Sequence, residues 1–239
     1  MNSIKRGFTL IELMVVIAMI AMIIAALGTS FAKAQTRANN ALLYGRFDKA
    51  EPYLRTAVRG LQKRNLNPYD GEPLYNLALC LKYRALQDGI PALLDEAYDL
   101  FVKSTWNHAW QAAGWFSAAQ ISLWRGDDAT ALEEVDKALV AGWHNHKARA
   151  LKALLLRRLG HDVSTFAAES LAIDPLNAGI LYAQGYTDAL QAMLRGESHN
   201  YDELALDYLT AGLFDDALAI WNLAVKTHAV TAMTTYYRC

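Results

Sequence analysis

The chain has 239 residues and a mass of 26.5 kDa, which is room for one mid-sized domain or for a short tether and a domain of about 190 residues. Hydrophobic residues make up 54% of the chain, which has only 14 Gly and 5 Pro, so its composition excludes disordered, collagen-like and low-complexity proteins. The 23 basic and 24 acidic residues leave a net charge of −1 without a basic stripe, which argues against nucleic acid as a partner.

The first predicted element is a membrane-spanning helix. Residues 13–32 contain no charged side chain. A helix of about 20 residues is roughly 30 Å long at a rise of about 1.5 Å per residue, which matches the hydrocarbon thickness of a bilayer. The alternative is an ordinary signal peptide with Lys5 and Arg6 as its positive end, but its apolar region is usually shorter and would not begin beside Glu12.

A short motif precedes and enters this apolar run, with the sequence KRGFTLIEL at residues 5–13. Over about residues 1–35 the chain resembles type IV prepilins and the pseudopilins of type II secretion systems. The resemblance implies that a prepilin peptidase cuts between Gly7 and Phe8 and that the new amine of Phe8 is methylated. Residues 1–7 would then be a leader, and residues 8–40 a transmembrane and membrane-proximal helix.

Glu12 lies at the start of the apolar run. A carboxylate in hydrocarbon costs several kcal/mol unless it meets a cation. The resemblance supplies one, because it implies a neighbouring pilin or pseudopilin subunit whose N-terminal amine binds Glu12 during assembly. Two alternatives stay open: a plain anchor in which Glu12 reaches the headgroups, and a gene fusion in which the segment has no role.

The basic residues Lys5 and Arg6 favour a cytoplasmic N-terminus. This charge signal is weak by itself, because other basic residues follow the apolar run: Lys33, Arg37, Arg46 and Lys49. The prepilin resemblance favours the same orientation. We therefore expect a single-pass protein of the inner (cytoplasmic) membrane with an exported C-terminal domain.

Residues 41–239 read as an all-α domain of helical repeats, because helix formers dominate and alternating β-branched runs are absent. A glycine or polar turn, an acidic residue and an alanine recur before apolar helices. Gly126 and Gly160 are 34 positions apart, which is the period of tetratricopeptide repeats. Each such glycine is expected to end a first helix in the left-handed conformation, and the acidic residue to start the second. The sequence thus predicts a tetratricopeptide-like α-solenoid.

The helix pairs follow from these marks. Gly160 and Gly212 are 52 positions apart, so one repeat is expected to be expanded, with 177–194 as a lone helix or an irregular insertion. The predicted pairs are 74–86 with 93–104, 110–125 with 129–140, 148–159 with 164–173, and 202–211 with 215–225.

A second resemblance covers about residues 42–225. It rests on four strings: NPYDGEP (67–73), YNL (75–77), KSTWN (103–107) and KAR (147–149). They resemble the C-terminal tetratricopeptide half of a family of large bacterial proteins whose N-terminal half is a β-rich domain associated with carbohydrate metabolism. This chain lacks that half, so sugar chemistry does not carry over.

No catalytic or cofactor motif stands out, so the sequence predicts a non-enzymatic protein without cofactor or metal. His144 and His146 are close together but have no third ligand nearby. Cys80 and Cys239 are too few for a disulfide framework, and Cys80 reads as a buried hydrophobe. Three acidic pairs read as helix caps or solvated faces: Asp127-Asp128, Glu133-Glu134 and Asp215-Asp216.

Aromatic residues cluster between Trp106 and Trp124. The spacing of Trp106, Trp110 and Trp115 predicts one helical face packed between repeats. The alternative is a ligand groove on the concave face of the first helices. The residues proposed for that groove are Tyr75, Asn76, Lys82, Trp106, Asn107, Trp110 and Arg149.

The predicted function is therefore a membrane-anchored interaction scaffold. It would act with a type IV pilus or a secretion pseudopilus and bind an unknown peptide or glycan on its solenoid. The alternatives are a carbohydrate-associated accessory repeat module separated from its β-rich partner domain, and a recombined gene fragment.

Overall fold

The computed structural model describes residues 35–63 and 70–238. These residues form helices and turns without a strand, as predicted for an all-α domain. None of the helices in this part of the chain is long and apolar enough to span a bilayer. The predicted transmembrane helix, the cleavage site at Gly7 and Phe8, and Glu12 all lie outside the described residues.

Thirteen α-helices follow one another in the described ranges, and a 3-10 helix at His108–Trp110 leads into the fifth. Successive helices pack against each other as pairs, as in the predicted solenoid. The helices are α1 (35–43), α2 (Phe47–Gln62), α3 (Glu72–Asp88), α4 (Ala92–Ser104), α5 (Gln111–Trp124), α6 (Asp128–Ala141), α7 (His146–Arg158), α8 (Ser164–Ile173), α9 (Ala178–Gln184), α10 (Thr187–Leu194), α11 (Ser198–Thr210), α12 (Phe214–Lys226) and α13 (Ala232–Arg238).

The turn within the α5–α6 pair has the predicted chemistry. Gly126 has a φ of 75°, a left-handed conformation that costs glycine nothing because it has no Cβ. The Asp127 carboxylate then accepts a hydrogen bond from the backbone N–H of Thr130 at 3.0 Å and caps α6. The predicted order of glycine stop and acidic start is confirmed here.

The prediction for residues 177–194 is wrong. These residues form a short helix pair, α9 and α10, which is broken at Gly185 with a φ of 76°. The signal was in the sequence, because Asp188 follows Gly185 by three positions, as Asp48 follows Gly45 and Asp215 follows Gly212. Sequence analysis also did not predict α13, which packs on α12.

Two hydrophobic cores lie along the solenoid and meet at α5. The N-terminal core extends from Ala38 to Ile121, and the C-terminal core from Ala119 to Ala229. Helix α5 is apolar all round, so Ala118 and Ile121 pack into the first core while Ala119 and Leu123 pack into the second. This helix therefore joins the two halves of the fold.

The C-terminal helices also contact helices that lie well before them in the chain. The Trp124 indole N–H donates to the carbonyl oxygen of Thr210 at 3.2 Å, and its ring meets Phe214 edge to face at 5.0 Å. On α7, Lys147 Nζ lies 2.5 Å from Asp207 Oδ1 of α11. These contacts connect α11 and α12 to the middle of the fold.

Candidate functional site

Two of the predicted groove residues lie together between α3 and α5. The rings of Tyr75 and Trp110 are 4.9 Å apart, and the Tyr75 hydroxyl lies 3.3 Å from Ser117 Oγ. A Cβ on Gly71 would stand 2.8 Å from the Trp110 ring. Both aromatic rings are half-buried, so they pack adjacent repeats together.

Trp106 and Asn107 lie in the loop that precedes the 3-10 helix. The expectation that Trp106, Trp110 and Trp115 share one helical face is wrong, because α4 ends at Ser104 and α5 begins at Gln111. Trp106 is 56% exposed, with Lys103 Nζ 5.9 Å from its ring centre. Asn107 Oδ1 accepts the Ala109 backbone N–H at 2.9 Å and caps the 3-10 helix.

Lys82 lies in the interior rather than in an open groove. Its side chain is only 2% exposed, and Nζ donates to Gln120 Oε1 at 2.5 Å. Burial without a carboxylate partner disfavours the ammonium form and lowers the pKa of Lys82 to about 7.

Arg149 and Asn76 also have partners inside the fold. Arg149 donates to the Trp143 carbonyl oxygen at 2.8 Å and to Ser170 Oγ at 3.0 Å, which joins the α6–α7 loop to α8. Asn76 Nδ2 donates to Asn39 Oδ1 at 3.2 Å. The seven residues do not gather in one site, and their role in ligand binding stays a prediction.

A cleft in the described part of the chain lies away from these residues, except that its lining residue His146 stands at the start of the helix that holds Arg149. It measures about 680 Å³ and is formed by α7, α9, α10 and α11. It exists because α9 has only 7 residues and α10 only 8, whereas α7 and α11 have 13 each. Because the α9–α10 pair is short, it leaves part of the surface of α7 and α11 uncovered. Sequence analysis missed this site because it did not recognise the pair.

The cleft combines an apolar wall with charged groups of both signs. The larger apolar residues are Leu176, Met193, Leu194, Leu204 and Leu206, and the charged or ionisable ones are His146, Lys147, Asp174, Arg195, Glu203 and Asp207.

Hydrogen bonds hold two amides at the wall of this cleft. Asn177 Nδ2 donates to the His146 carbonyl oxygen at 2.9 Å, and Asn200 Nδ2 donates to that of Leu194 at 3.2 Å. Arg195 has a left-handed backbone with a φ of 55° and is exposed at the end of α10. The walls therefore carry fixed polar groups beside apolar surface, a common composition for ligand clefts.

Two acidic residues predicted as caps or solvated faces are in fact buried connectors. Glu134, which is 1% exposed, accepts hydrogen bonds from the Tyr98 hydroxyl at 2.5 Å and from Ser122 Oγ at 2.6 Å. Asp216 accepts from the Tyr182 hydroxyl at 2.8 Å and lies 3.4 Å from an Arg157 nitrogen. Their partners come from neighbouring helices, which sequence spacing does not reveal.

The remaining predicted features have structural partners. The His144 ring lies 3.7 Å from that of Trp143, and among the described residues no group of three or more His, Cys, Asp or Glu side chains is arranged to hold a metal ion. Cys80 is fully buried, as predicted, and its thiol donates to the Phe47 carbonyl oxygen at 3.3 Å. Burial raises the pKa of this thiol to about 12.

A family model for the prokaryotic N-terminal methylation motif matches residues 2–28. No curated protein sequence matches the chain. Among solved structures, a tetratricopeptide repeat protein from Parabacteroides merdae is 18% identical, with a TM-score of 0.57 over 88% of this chain and 84% of its own. A thermophilic TPR protein from Thermus thermophilus is 19% identical, with a TM-score of 0.47 over 87% of this chain and 97% of its own.

The likeness to the Parabacteroides merdae protein shows the fold of the described helices. The chain therefore joins a prokaryotic N-terminal methylation motif to a tetratricopeptide-repeat fold.

Proposed function

We propose that this protein is a membrane-anchored interaction scaffold that is processed as a prepilin and binds a peptide segment through its repeat domain. The observation that carries the proposal is the junction of the methylation motif at residues 2–28 with a tetratricopeptide-repeat fold. In this organisation residues 1–7 are the leader, 8–40 the anchor, and 41–239 the exported repeat domain.

The anchor has two tasks in this proposal. Prepilin peptidase cuts between Gly7 and Phe8, and the helix after Phe8 stays in the cytoplasmic membrane. Glu12 then pairs with the N-terminal amine of a pilin or pseudopilin subunit, because a carboxylate near hydrocarbon needs a cation. The 20-residue run without charge after Glu12 supports membrane residence.

The variant Glu12→Ala tests the assembly role. We expect normal cleavage and membrane residence but loss of incorporation into pilus or pseudopilus material, measured by copurification of the subunits. Met14→Ala is the matched control, because it shortens a side chain two positions away without removing a charge. Unchanged incorporation of Glu12→Ala would exclude the proposed pairing.

The cleft between α7 and α11 is the proposed peptide site. Its volume of about 680 Å³ accommodates several side chains, and it offers apolar surface beside cationic and anionic groups. Repeat solenoids bind along extended surfaces formed by adjacent repeats, and this cleft spans three successive pairs. A peptide with an apolar side chain flanked by an acidic residue fits the Leu176 and Met193 wall beside Arg195.

A peptide library selected against the full chain in detergent tests this site. The variant Arg195→Ala is expected to weaken the selected peptides by about tenfold, the loss of one charge-assisted contact of about 1.5 kcal/mol. Arg59→Ala is the matched control, because Arg59 is exposed on α2, away from the cleft. Equal effects of the two variants would exclude this cleft as the site.

A further inference from the structure

One edge of the solenoid is formed by the loops that lead from each pair into the next. A Cβ on Gly71 would lie 2.9 Å from the Ser104 carbonyl oxygen, and one on Gly142 would lie 2.9 Å from Ala112 Cβ. Further along, Asn177 donates to the His146 carbonyl oxygen at 2.9 Å. These contacts connect successive loops as far as residue 177. We call the described connecting segments together the loop edge: 70–71, 105–110, 140–147, 174–177, 195–197 and 227–231.

The loop edge exposes large apolar side chains. Two tryptophans, Trp106 and Trp143, are each 56% exposed. Aliphatic side chains accompany them, with Val140 at 90% and Leu176 at 72% exposed. Tryptophans rarely remain this open on a surface that faces only water, because each carries a large apolar area.

Basic and imidazole side chains surround these tryptophans. Lys103 lies over the Trp106 ring, and His144 lies against Trp143. Of the six histidines in the chain, five lie on or directly beside this edge: His108, His144, His146, His199 and His228.

The opposite edge, formed by the turns within the pairs, differs in its exposed side chains. It exposes aromatic rings, for example Tyr44 at 72% and Phe214 at 51%, but the two exposed tryptophans of the described residues both lie on the loop edge. Acidic residues lie at the helix starts of the opposite edge: Asp48, Asp127, Asp128, Asp162, Asp188 and Asp215. The loop edge also carries acidic residues, namely Asp70, Asp174 and Glu197, so exposed tryptophan is the property that distinguishes it.

The N-terminal segment joins the fold at this same edge. Helix α1 is the first helix of its pair, so it begins where α3 begins. Asn39 of α1 lies 3.5 Å from Glu72 Oε1 and 3.2 Å from Asn76 Nδ2, at the start of α3. Residue 35 is one helical turn before Asn39, and therefore lies at the loop edge. Residues 2–28, which match the methylation motif, precede it.

We propose that the loop edge lies on the phospholipid headgroups of the membrane that holds the N-terminal segment. Trp106 and Trp143 insert at the interface, where amphipathic indole rings are favoured, and Lys103 meets phosphate groups. The opposite edge then faces the aqueous side, and the cleft, which shares Leu176 and Arg195 with the loop edge, opens beside the headgroups. This inference rests on the proposed membrane anchoring.

A polarity-sensitive fluorophore at two histidines tests the orientation. The full chain with Cys239→Ser is reconstituted in vesicles of phosphatidylcholine and phosphatidylglycerol, and NBD is attached at His144→Cys or at His161→Cys. Both histidines are exposed loop residues, but His161 lies on the opposite edge. Cys80 does not interfere, because it is fully buried.

We expect NBD emission at position 144 to shift to the blue and to rise about twofold or more in the reconstituted full chain, compared with the same labelled protein released from the vesicles by cleavage after residue 34. The rise is expected because the probe leaves water when the loop edge lies on the membrane. Emission at position 161 should not change. A probe at His108→Cys, also on the loop edge, should show the same rise in emission. The added changes Trp106→Ser and Trp143→Ser should remove most of that rise.

Vesicle flotation separates failure of this inference from failure of the anchor. If the full chain floats with the vesicles but both probes stay in water, the anchoring proposal survives and the docking proposal is overturned. If the chain does not float, the anchoring proposal fails and the docking proposal fails with it. An equal rise at positions 144 and 161 would also overturn the orientation.

Discussion

Lys82 in the N-terminal half and Asp202 in the C-terminal half are both buried ionisable groups, but the fold accommodates them differently. Lys82 is 2% exposed and donates to one neutral acceptor, Gln120 Oε1. Asp202 is 8% exposed and accepts hydrogen bonds from Trp221 Nε1 at 2.9 Å and from Thr231 Oγ1 at 2.8 Å. Thr234 Oγ1 lies 3.4 Å away as a third donor.

The difference teaches what each charge does for the fold. Asp202 fixes α12 and α13 to α11, because its donors come from both later helices. Lys82 fixes one contact between α3 and α5, and burial lowers its pKa to about 7. A buried charge with several donors organises its surroundings, whereas one with a single neutral partner adds a penalty.

The largest effect is expected for Asp202→Ala. It leaves the Trp221 indole N–H and two threonine hydroxyls without their acceptor, so we expect a loss of at least about 2 kcal/mol in the free energy of unfolding. Urea titration followed by circular dichroism measures it. Asp95→Ala is the control, because the Asp95 side chain is 76% exposed and its pair with Arg125 should contribute less than about 1 kcal/mol. Equal losses of unfolding free energy in the two variants would contradict the expected difference between a buried and an exposed carboxylate.

The next effect depends on pH and concerns Lys82→Met. Between pH 7 and 10 the unfolded chain keeps the Lys82 proton, since its pKa there is about 10.4, whereas the folded chain with a pKa of about 7 releases it. Stability therefore rises with pH, by up to about 1.4 kcal/mol per unit. We expect this rise in the unaltered chain and not in Lys82→Met, from urea titrations at pH 7, 8 and 9. Parallel pH profiles would show that Lys82 does not titrate in this range.

The smallest effect is expected for Arg55→Ala. Arg55 lies 2.6 Å from Glu51 and 2.6 Å from Glu96, but its side chain is 35% exposed. Solvent-accessible ion pairs of this kind contribute about 0–1 kcal/mol and weaken in salt. The difference from the unaltered chain should be small and should shrink further in about 1 M sodium chloride. A loss in unfolding free energy as large as that of Asp202→Ala would show that exposed ion pairs contribute as much to stability as the buried carboxylate.

The sequence predicted most helices because their boundaries depend on local chemistry. Gly126 with Asp127, for example, sets a turn by its own backbone and side chain. The α9–α10 pair was missed because its period is shorter than 34 residues, although Gly185 and Asp188 carried the same signal. The expectation of a fixed repeat length of 34 residues therefore hid this shorter pair.

The candidate site was much harder to predict. Whether a long polar side chain is buried depends on helices that are distant in sequence. Lys82, which bonds to Gln120, and Glu134, which bonds to Tyr98, are examples. The cleft arises from a difference in length between α9 and α11, which no motif marks. Spacing alone also placed Trp106 on a helix that ends two residues earlier.

The most direct test of the central claim is the intact mass and N-terminal residue of the protein isolated from native membranes. The proposal predicts a chain that begins at Phe8 with a methylated amine, because the resemblance to prepilins implies processing after Gly7, within the methylation motif at residues 2–28. An intact Met1, or cleavage beyond Ala32, would contradict it and would reduce the segment to a plain anchor or an export signal.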